Sequence, residues 1–546
     1  MRNTTAAGGW ASTLALVPAL VLGLWGSPAA AQSEPRRVPV TDISVLGNTL
    51  LPQATVDAAL APYKGERTLD ELKQAAAALQ DLYRQAGYGA VVTFLPEQAV
   101  SGGRLVIGVL EGRVAKVAVI GNKQFSADNV RRAVPALQEG QTPRVRRIDA
   151  QVQLANENPA RRLALTLEPG AERGQVDAAL NLTESPVSSW QLFGDNTGSR
   201  QTGRARLGLG WRHANLWDRD HQLLIQAQTS PESPSDVRIF GATYRVPLPR
   251  LGTMVSAYGT YSNVNAGTTP TPAGALQFSG RGRAYGVAAT RLFDRVGEVE
   301  QRLSLALERR DYLNACAIAG LPEGACGSAG ESVTVHPLTL EYSVQRTGAR
   351  SGGASISVSH NLDLGGRRAD NTAAVRTGAP RGFTVLRASG QLGTALPGEW
   401  QLQGRVAAQY TGDALIPGEQ FNLAGSTAVR GYEERELTGD SGVLASVELL
   451  TPNLLGPADA RPADSWLAGG TLRLVAFADG GTARNELDTP CRDTESRCTL
   501  TAVGVGARLI LRSTQWRLDI GHPLDDGRLT QRGGTRVHVQ GSISFP

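Results

Sequence analysis

The sequence is short of several residue types, and each shortage excludes something. Beyond the first thirty residues no apolar run approaches the ~20 residues of a membrane-spanning helix, so an anchor of that kind is excluded from the rest of the chain. Cysteine occurs four times and histidine six times, and no histidine stands beside a cysteine at a zinc spacing. The same scarcity leaves little scope for a serine–histidine–acid arrangement, and no serine sits on a suitable elbow. No Walker loop is present. An enzyme, a metal site and a bound cofactor are therefore not expected. Charge of one sign is also lacking: 55 basic residues against 50 acidic ones leave only +5. That excess is too small and too dispersed to indicate nucleic acid.

What is present begins with a secretory signal. Arg2 precedes an apolar core from Leu14 to Trp25, broken by Pro18, and Ala29-Ala30-Ala31 offers a cleavage site before Gln32. The cysteines form two close pairs, Cys316 with Cys326 and Cys491 with Cys498. In an oxidising compartment two short-range disulfides are expected, with free thiols as the alternative.

Two similar αβ units follow. Val40–Val45 reads as a strand ended by Gly47-Asn48, with helices over Pro52–Leu60 and Leu69–Gln85. In the second helix Leu69, Leu72, Ala76, Leu79 and Tyr83 recur at helical spacing, and Gly87 is placed as its C-cap. Val91–Phe94 and Leu105–Val109 read as paired strands. The pattern then repeats. Val114–Ile120 ends at Gly121-Asn122, Ser126 is an N-cap for a helix through Ala133, and a second helix runs Ile148–Ala155. Arg162–Leu167 and Val176–Leu182 close the unit. The order strand, helix, helix, strand, strand resembles the POTRA domain. Such a sheet has an open edge, which can accept an extended strand of a client.

From about Val187 to the end, segments alternate apolar with polar or small residues. Leu338, Leu340, Tyr342 and Val344 oppose Thr339, Glu341, Ser343 and Gln345; Val537, Val539, Ile543 and Phe545 oppose Arg536, His538, Ser542 and Ser544. A period of two with lipid on one face and water on the other is the signature of a membrane barrel, and a mean hydropathy of −0.19 does not oppose it, because alternation averages out. About sixteen such segments are countable, an even number as single-chain bacterial barrels require. With the first strand starting in the periplasm, the long connections fall outside: Ser262–Gly280, Tyr312–Glu331, Gly365–Gly382, Thr411–Asp440, Gly480–Thr499 and His522–Gly534. Thr451–Ala468 is the exception among short inner turns. Eleven arginines fall on predicted inner faces (204, 206, 212, 245, 302, 387, 405, 473, 508, 517 and 536), which makes a polar, wet lumen.

Two short segments carry a closer resemblance. The loop between strands eleven and twelve contains Val429-Arg430-Gly431-Tyr432, and strand thirteen ends Phe477-Ala478-Asp479-Gly480-Gly481. Here the chain resembles the TpsB outer-membrane transporters of two-partner secretion, the ShlB/FhaC/HecB family. That family has a Val-Arg-Gly-Tyr tip on its long sixth extracellular loop and Phe-x-Asp-x-Gly on a barrel strand. Asn158-Pro159 and Asp195-Asn196-x-Gly198 also look like family landmarks. Alternation puts Phe477 and Asp479 on the lumen face, so an inward-folded loop could bring Arg430 to Asp479 as a charge-assisted pair. Gly431 would allow close backbone approach and Tyr432 would pack on the wall.

The organisation expected is a signal peptide at 1–31, a linker at 32–39, POTRA-like domains at 40–112 and 113–185, and a sixteen-stranded barrel at 186–546 with its sixth extracellular loop at 412–440. The resemblance implies export of a large unfolded TpsA-type exoprotein, a haemolysin or adhesin, received on the POTRA edges and passed through the lumen without nucleotide hydrolysis. It implies a monomer in the Gram-negative outer membrane, in contact with lipid and lipopolysaccharide and with no nucleic acid. Two departures stand out. Gln32–Pro39 is too short for the plug helix many family members carry, and Phe545 is followed by Pro546 where an aromatic end is usual. The alternative function is a barrel-assembly factor of the BamA/TamA kind, which usually has more POTRA domains.

Overall fold

The computed structural model describes residues 37–546 apart from 201, 264–267, 272–273, 278–280, 314–327, 329–330, 349, 366–370, 457–464, 466 and 468. The signal peptide, most of the linker, Cys316 and Cys326 lie outside the described residues. Two compact bodies are formed, one from 37–80 with 93–109 and one from 81–92 with 110–546.

The first αβ unit starts earlier than its alternation suggested. Arg37–Val40, of which the first three residues were read from the sequence as the end of a linker, is a strand paired antiparallel with Gly65–Thr68. Its partner, Gly-Glu-Arg-Thr, has no apolar period, so the ladder does not announce itself. Asp42–Leu46 runs parallel to Arg104–Gly108 in a sheet completed by Val91–Phe94. Helices α1 (Gln53–Leu60) and α2 (Leu69–Gln85) fall where the sequence placed them. A capping box starts α2: Thr68 N–H donates to Glu71 at 2.7 Å and Glu71 N–H donates to the Thr68 hydroxyl at 3.3 Å.

The second unit repeats this plan with α3 (Ala127–Ala133) and α4 (Val145–Ala155) on a sheet ordered Arg113–Ile120, Gln175–Glu184, Arg161–Pro169. Ser126 caps α3 through a bond from Asn129 N–H at 3.0 Å. The Gly-Asn marks of the two units share one geometry. Gly47 and Gly121 hold φ at +91° and +84°, and a Cβ on either would lie 2.3 Å from a carbonyl oxygen, of Val109 and Leu182 respectively. The core of the second unit, including Phe125, Val130, Ile148 and Leu163, also takes in Ala214 of the barrel wall.

Among the described residues, sixteen antiparallel strands close into a barrel. They are Ser188–Asp195, Arg206–Leu216, His221–Thr229, Ile239–Leu248, Thr253–Ser262, Arg281–Leu292, Val299–Leu313, Val333–Val335 continued by Pro337–Arg346, Arg350–Asn361, Thr384–Ala395, Gln401–Tyr410, Ser441–Leu450, Thr471–Arg484, Arg497–Leu511, Thr514–Pro523 and Arg536–Phe545. Strand one pairs with strand sixteen from Asp195↔Gln540 to Trp190↔Phe545. The inner connections are short, such as 217–220 and 512–513, except 451–470. Phe240, Val287, Leu305, Ile356, Val447 and Val505 stand exposed on the outer face. In water that apolar band would be a severe liability; in lipid it is the favourable face. No helix among the described residues is long and apolar enough to cross a membrane.

The second αβ unit is clamped to the first inner turn of the barrel. Buried Arg161 meets buried Asp220 at 2.8 Å and donates to Asn129 at 3.0 Å. Asn158 donates to the Ala214 carbonyl at 2.7 Å. Asp218 accepts from the Ser126 hydroxyl and from Asn215, and its carbonyl accepts from Arg132 at 2.8 Å. The turn supports these contacts in an unfavourable backbone: Trp217, Asp218 and Asp220 have φ of +54°, +53° and +61°.

Candidate functional site in the barrel lumen

The connection 411–440 enters the barrel, and its polar backbone is paired partly within the loop, as from Leu423 N–H to the Leu437 carbonyl at 3.0 Å, and partly with lumen-facing side chains. Strand alternation directs Phe477 and Asp479 of strand thirteen inward, opposite exposed Leu474. Arg430 arrives from the loop and is fully buried. Its Nε and Nη2 donate to the two Asp479 oxygens at 2.7 Å each, and its backbone N–H donates to the same carboxylate at 3.1 Å. Nη1 reaches Glu448 at 2.5 Å, Nη2 donates to the Ser446 hydroxyl at 3.1 Å, and Asp519 lies 3.5 Å away. The guanidinium carbon stands 3.5 Å from the Phe477 ring centroid, a cation–π contact. A bidentate fork with a stacked ring is a geometry that lysine does not reproduce.

The flanking residues fix the tip. Val429 is buried with Leu423, Ala424 and Leu437 of the loop and Leu444 and Leu500 of the wall. Gly431 N–H donates to His538 Nε2 at 3.1 Å. The Tyr432 hydroxyl donates toward the carbonyls of Thr501 at 2.8 Å and Asp525 at 3.0 Å. At Gly481 the wall has no side chain, and Leu423 of the loop comes within 2.8 Å of where a Cβ would stand.

A second set of contacts holds the rest of the loop. Buried Glu419 takes both Arg310 Nη1 bonds at 2.8 and 3.0 Å, the Tyr312 hydroxyl at 2.8 Å and Arg387 at 3.4 Å. Asp440 accepts two bonds from Arg376, one at 2.8 Å. Glu433 meets Arg536 at 2.6 Å, and Arg405 donates to the carbonyls of Thr427 at 2.6 Å and Ala428 at 2.8 Å. The loop thus touches strand seven and every strand from ten to sixteen.

Several expectations need correction. Arg204 lies in the connection before strand two, because the ladder begins at Arg206. Strand thirteen continues past Gly481 to Arg484, since Thr482, Ala483 and Arg484 still find partners on strand fourteen. The lumen is not a bare arginine wall. Arg508 and Arg517 pair with Asp519 at 2.7 and 2.6 Å, so much of the positive charge is neutralised in place.

Of the two disulfides expected from the sequence, one is formed among the described residues. Cys491 and Cys498 are joined with Cα atoms 6.2 Å apart, Cys498 lying on strand fourteen. The other expected bridge does not figure among them: Cys316 and Cys326 both fall within the connection 314–327, outside the described residues, so their pairing stays an expectation from spacing and compartment alone. Glu448, Asp519 and His538 are part of the site but were not singled out from the sequence. The available signal was acidic or imidazole side chains at inward positions of strands twelve, fifteen and sixteen.

Comparison with known proteins agrees with this fold. The family model for haemolysin secretion/activation protein ShlB/FhaC/HecB matches residues 174–509, and the ShlB-type POTRA domain matches 38–112. The outer membrane transporter CdiB of Dickeya dadantii is 24% identical over 91% of this chain and 85% of its own length. CdiB of Escherichia coli is 25% identical over 83% of this chain and 74% of its own. Among solved structures, CdiB from Escherichia coli superposes with a TM-score of 0.77 at 21% identity, covering 95% of this chain and 92% of the other. CdiB from Acinetobacter baumannii gives 0.67 at 16% identity, covering 94% and 91%. The chain belongs to the haemolysin secretion/activation family ShlB/FhaC/HecB, the TpsB outer-membrane transporters of two-partner secretion with POTRA domains in the periplasm.

Proposed function

We propose that the chain exports a large TpsA-type exoprotein, a haemolysin or an adhesin, by passing it unfolded from the periplasm through the lumen without nucleotide hydrolysis. The observation that carries this reading is the pinned loop. A barrel built only to insert in lipid has no need of a buried arginine fork across its bore, whereas a conduit needs its bore filled by something held in one place. Folding of the cargo outside supplies direction, because a folded chain cannot slip back. The protein acts as a monomer, its apolar exterior against lipid and lipopolysaccharide.

Receipt of the cargo is assigned to the POTRA edges. Val91–Phe94 is an outer strand of its sheet, and a groove of about 570 Å³ lined by Leu72, Ala76, Phe94 and Leu105 runs beside it. In the second unit Arg161–Pro169 is likewise an outer strand. An extended segment adds to such an edge through main-chain bonds and places alternate side chains in the groove.

The test is Arg430→Ala in cells that make the cognate exoprotein. Losing one partner of a buried pair costs about 3–5 kcal/mol, enough to release the loop, so secreted exoprotein should fall to about a tenth or less. Barrel insertion, read from heat-dependent gel mobility, should be retained. Normal secretion by this variant would refute the role of the pin. Depletion of the chain should spare other outer-membrane proteins; their general loss would mean assembly rather than export.

A further inference from the structure

The turn between α4 and the strand Arg161–Pro169 does two separate things. Asn158 and Arg161 hold the second unit on the rim, as described above. Glu157, next to them, points instead into the periplasmic end of the lumen. Arg302 of strand seven donates to its two oxygens from Nη2 at 2.8 Å and Nη1 at 3.1 Å, and Arg245 of strand four lies 3.7 Å away. Both arginines are at inward positions. Arg245 also reaches the Gln222 side chain at 3.4 Å, and Arg302 is shared with Glu300 of its own strand at 3.3 Å. Glu300 in turn is taken by Arg295. Beside them Leu154 of α4 packs with Met254 and Leu292 of the wall.

Two features set this contact apart from the clamp. The three charged side chains are each partly exposed, at 17% for Glu157, 29% for Arg302 and 33% for Arg245, so water and solutes reach them. And the unit has anchors that do not pass through Glu157, at Asn158, Arg161 and Asp218. A planar carboxylate from any source suits the Arg302 fork equally well.

We propose that Arg245 and Arg302 form a carboxylate-receiving site at the lumen entrance, filled at rest by Glu157 and during export by acidic side chains of the extended cargo. The inference rests on the export reading and adds the chemistry of the first lumen contact. Glu157 competes as a tethered ligand, with an effective concentration in the millimolar range. A free monocarboxylate therefore does not displace it. A chain that carries several carboxylates, or that is itself tethered on a POTRA edge, does.

The experiment uses the full chain in lipid nanodiscs and a fluorescein-labelled short poly-glutamate peptide, with binding read as anisotropy. Glu157→Gln removes the resident ligand and should tighten binding by about tenfold or more, as loss of a tethered competitor predicts. Arg245→Gln with Arg302→Gln should abolish the tightened binding in the Glu157→Gln background. Arg302→Lys, which keeps the charge and loses the fork, should give an intermediate value and serves if the double variant fails to insert. Equal affinity in parent and Glu157→Gln, or equal binding of a poly-lysine peptide, would overturn the site. That failure would leave export of the cognate exoprotein intact, whereas failure of the export reading shows in the Arg430→Ala secretion assay.

Discussion

Gly431 holds φ at +96° where the loop tip lies against strand fifteen, and a Cβ built there would stand 3.2 Å from the Gly521 carbonyl carbon and 3.3 Å from the Pro523 ring. Left-handed backbone costs a residue with a Cβ about 1–2 kcal/mol before any contact is counted. Gly431→Ala should therefore lift the tip from the wall while leaving Arg430 chemically intact. Protease added outside the cell should cut within 411–440 in this variant and not in the parent; an uncut loop would show that close backbone approach is not what seats it. Arg430 and Asp479 were legible in the sequence because their short motifs stood on a loop and at an inward position. Glu448, Asp519 and His538 were not, because they belong to strands twelve, fifteen and sixteen. Their convergence depends on the register of a closed barrel, and no local spacing records it. The same limit hid Glu419, whose partners Arg310 and Arg387 sit on strands seven and ten.

Helices were the most legible elements. The period of α2 and the glycine after it gave bounds that the structure reproduces, and Ser126 caps α3 as its position indicated. The edge pair Arg37–Val40 with Gly65–Thr68 escaped because both strands are only four residues long and the second is polar throughout. The four-residue turn 217–220 also gave no warning of its role, since Trp-Asp-Arg-Asp reads as an ordinary hairpin connection. Its importance comes from the Arg161–Asp220 pair. Burial pushes the Asp220 carboxyl up from its usual range and the Arg161 guanidinium down, although each is helped by the other. Such a pair contributes little net stability, yet stranding one partner is expensive. Asp220→Ala should cost about 3–5 kcal/mol at the clamp, seen as faster limited proteolysis of the second αβ unit in the intact protein. Replacing both residues, Arg161→Met with Asp220→Leu, should recover most of the protection. A double variant as labile as the single one would place the docking energy elsewhere.

At the scale of the whole molecule, alternation, parity and loop asymmetry sufficed to read a closed sixteen-stranded wall, because one face of every strand must meet lipid and that demand is written residue by residue. What fills the wall was harder to read. An arginine-rich inner face suggests a wet bore and the Arg430–Asp479 pairing put the loop tip inside it, but how fully the loop fills the bore shows only in the contacts of Glu419, Glu433, Val429 and Leu423. This occupancy has a consequence for the cell that bears the protein. Barrels of sixteen strands are wide enough, when vacant, to leave an aqueous channel. Deleting 412–440 should therefore turn the transporter into a hole, and bacteria expressing it should succumb to bulky hydrophilic antibiotics that the intact envelope turns away. Unchanged drug resistance in that strain would mean another segment stands guard. On the proposed reading, a segment that serves secretion would also keep the organism's outer barrier from leaking between one cargo and the next.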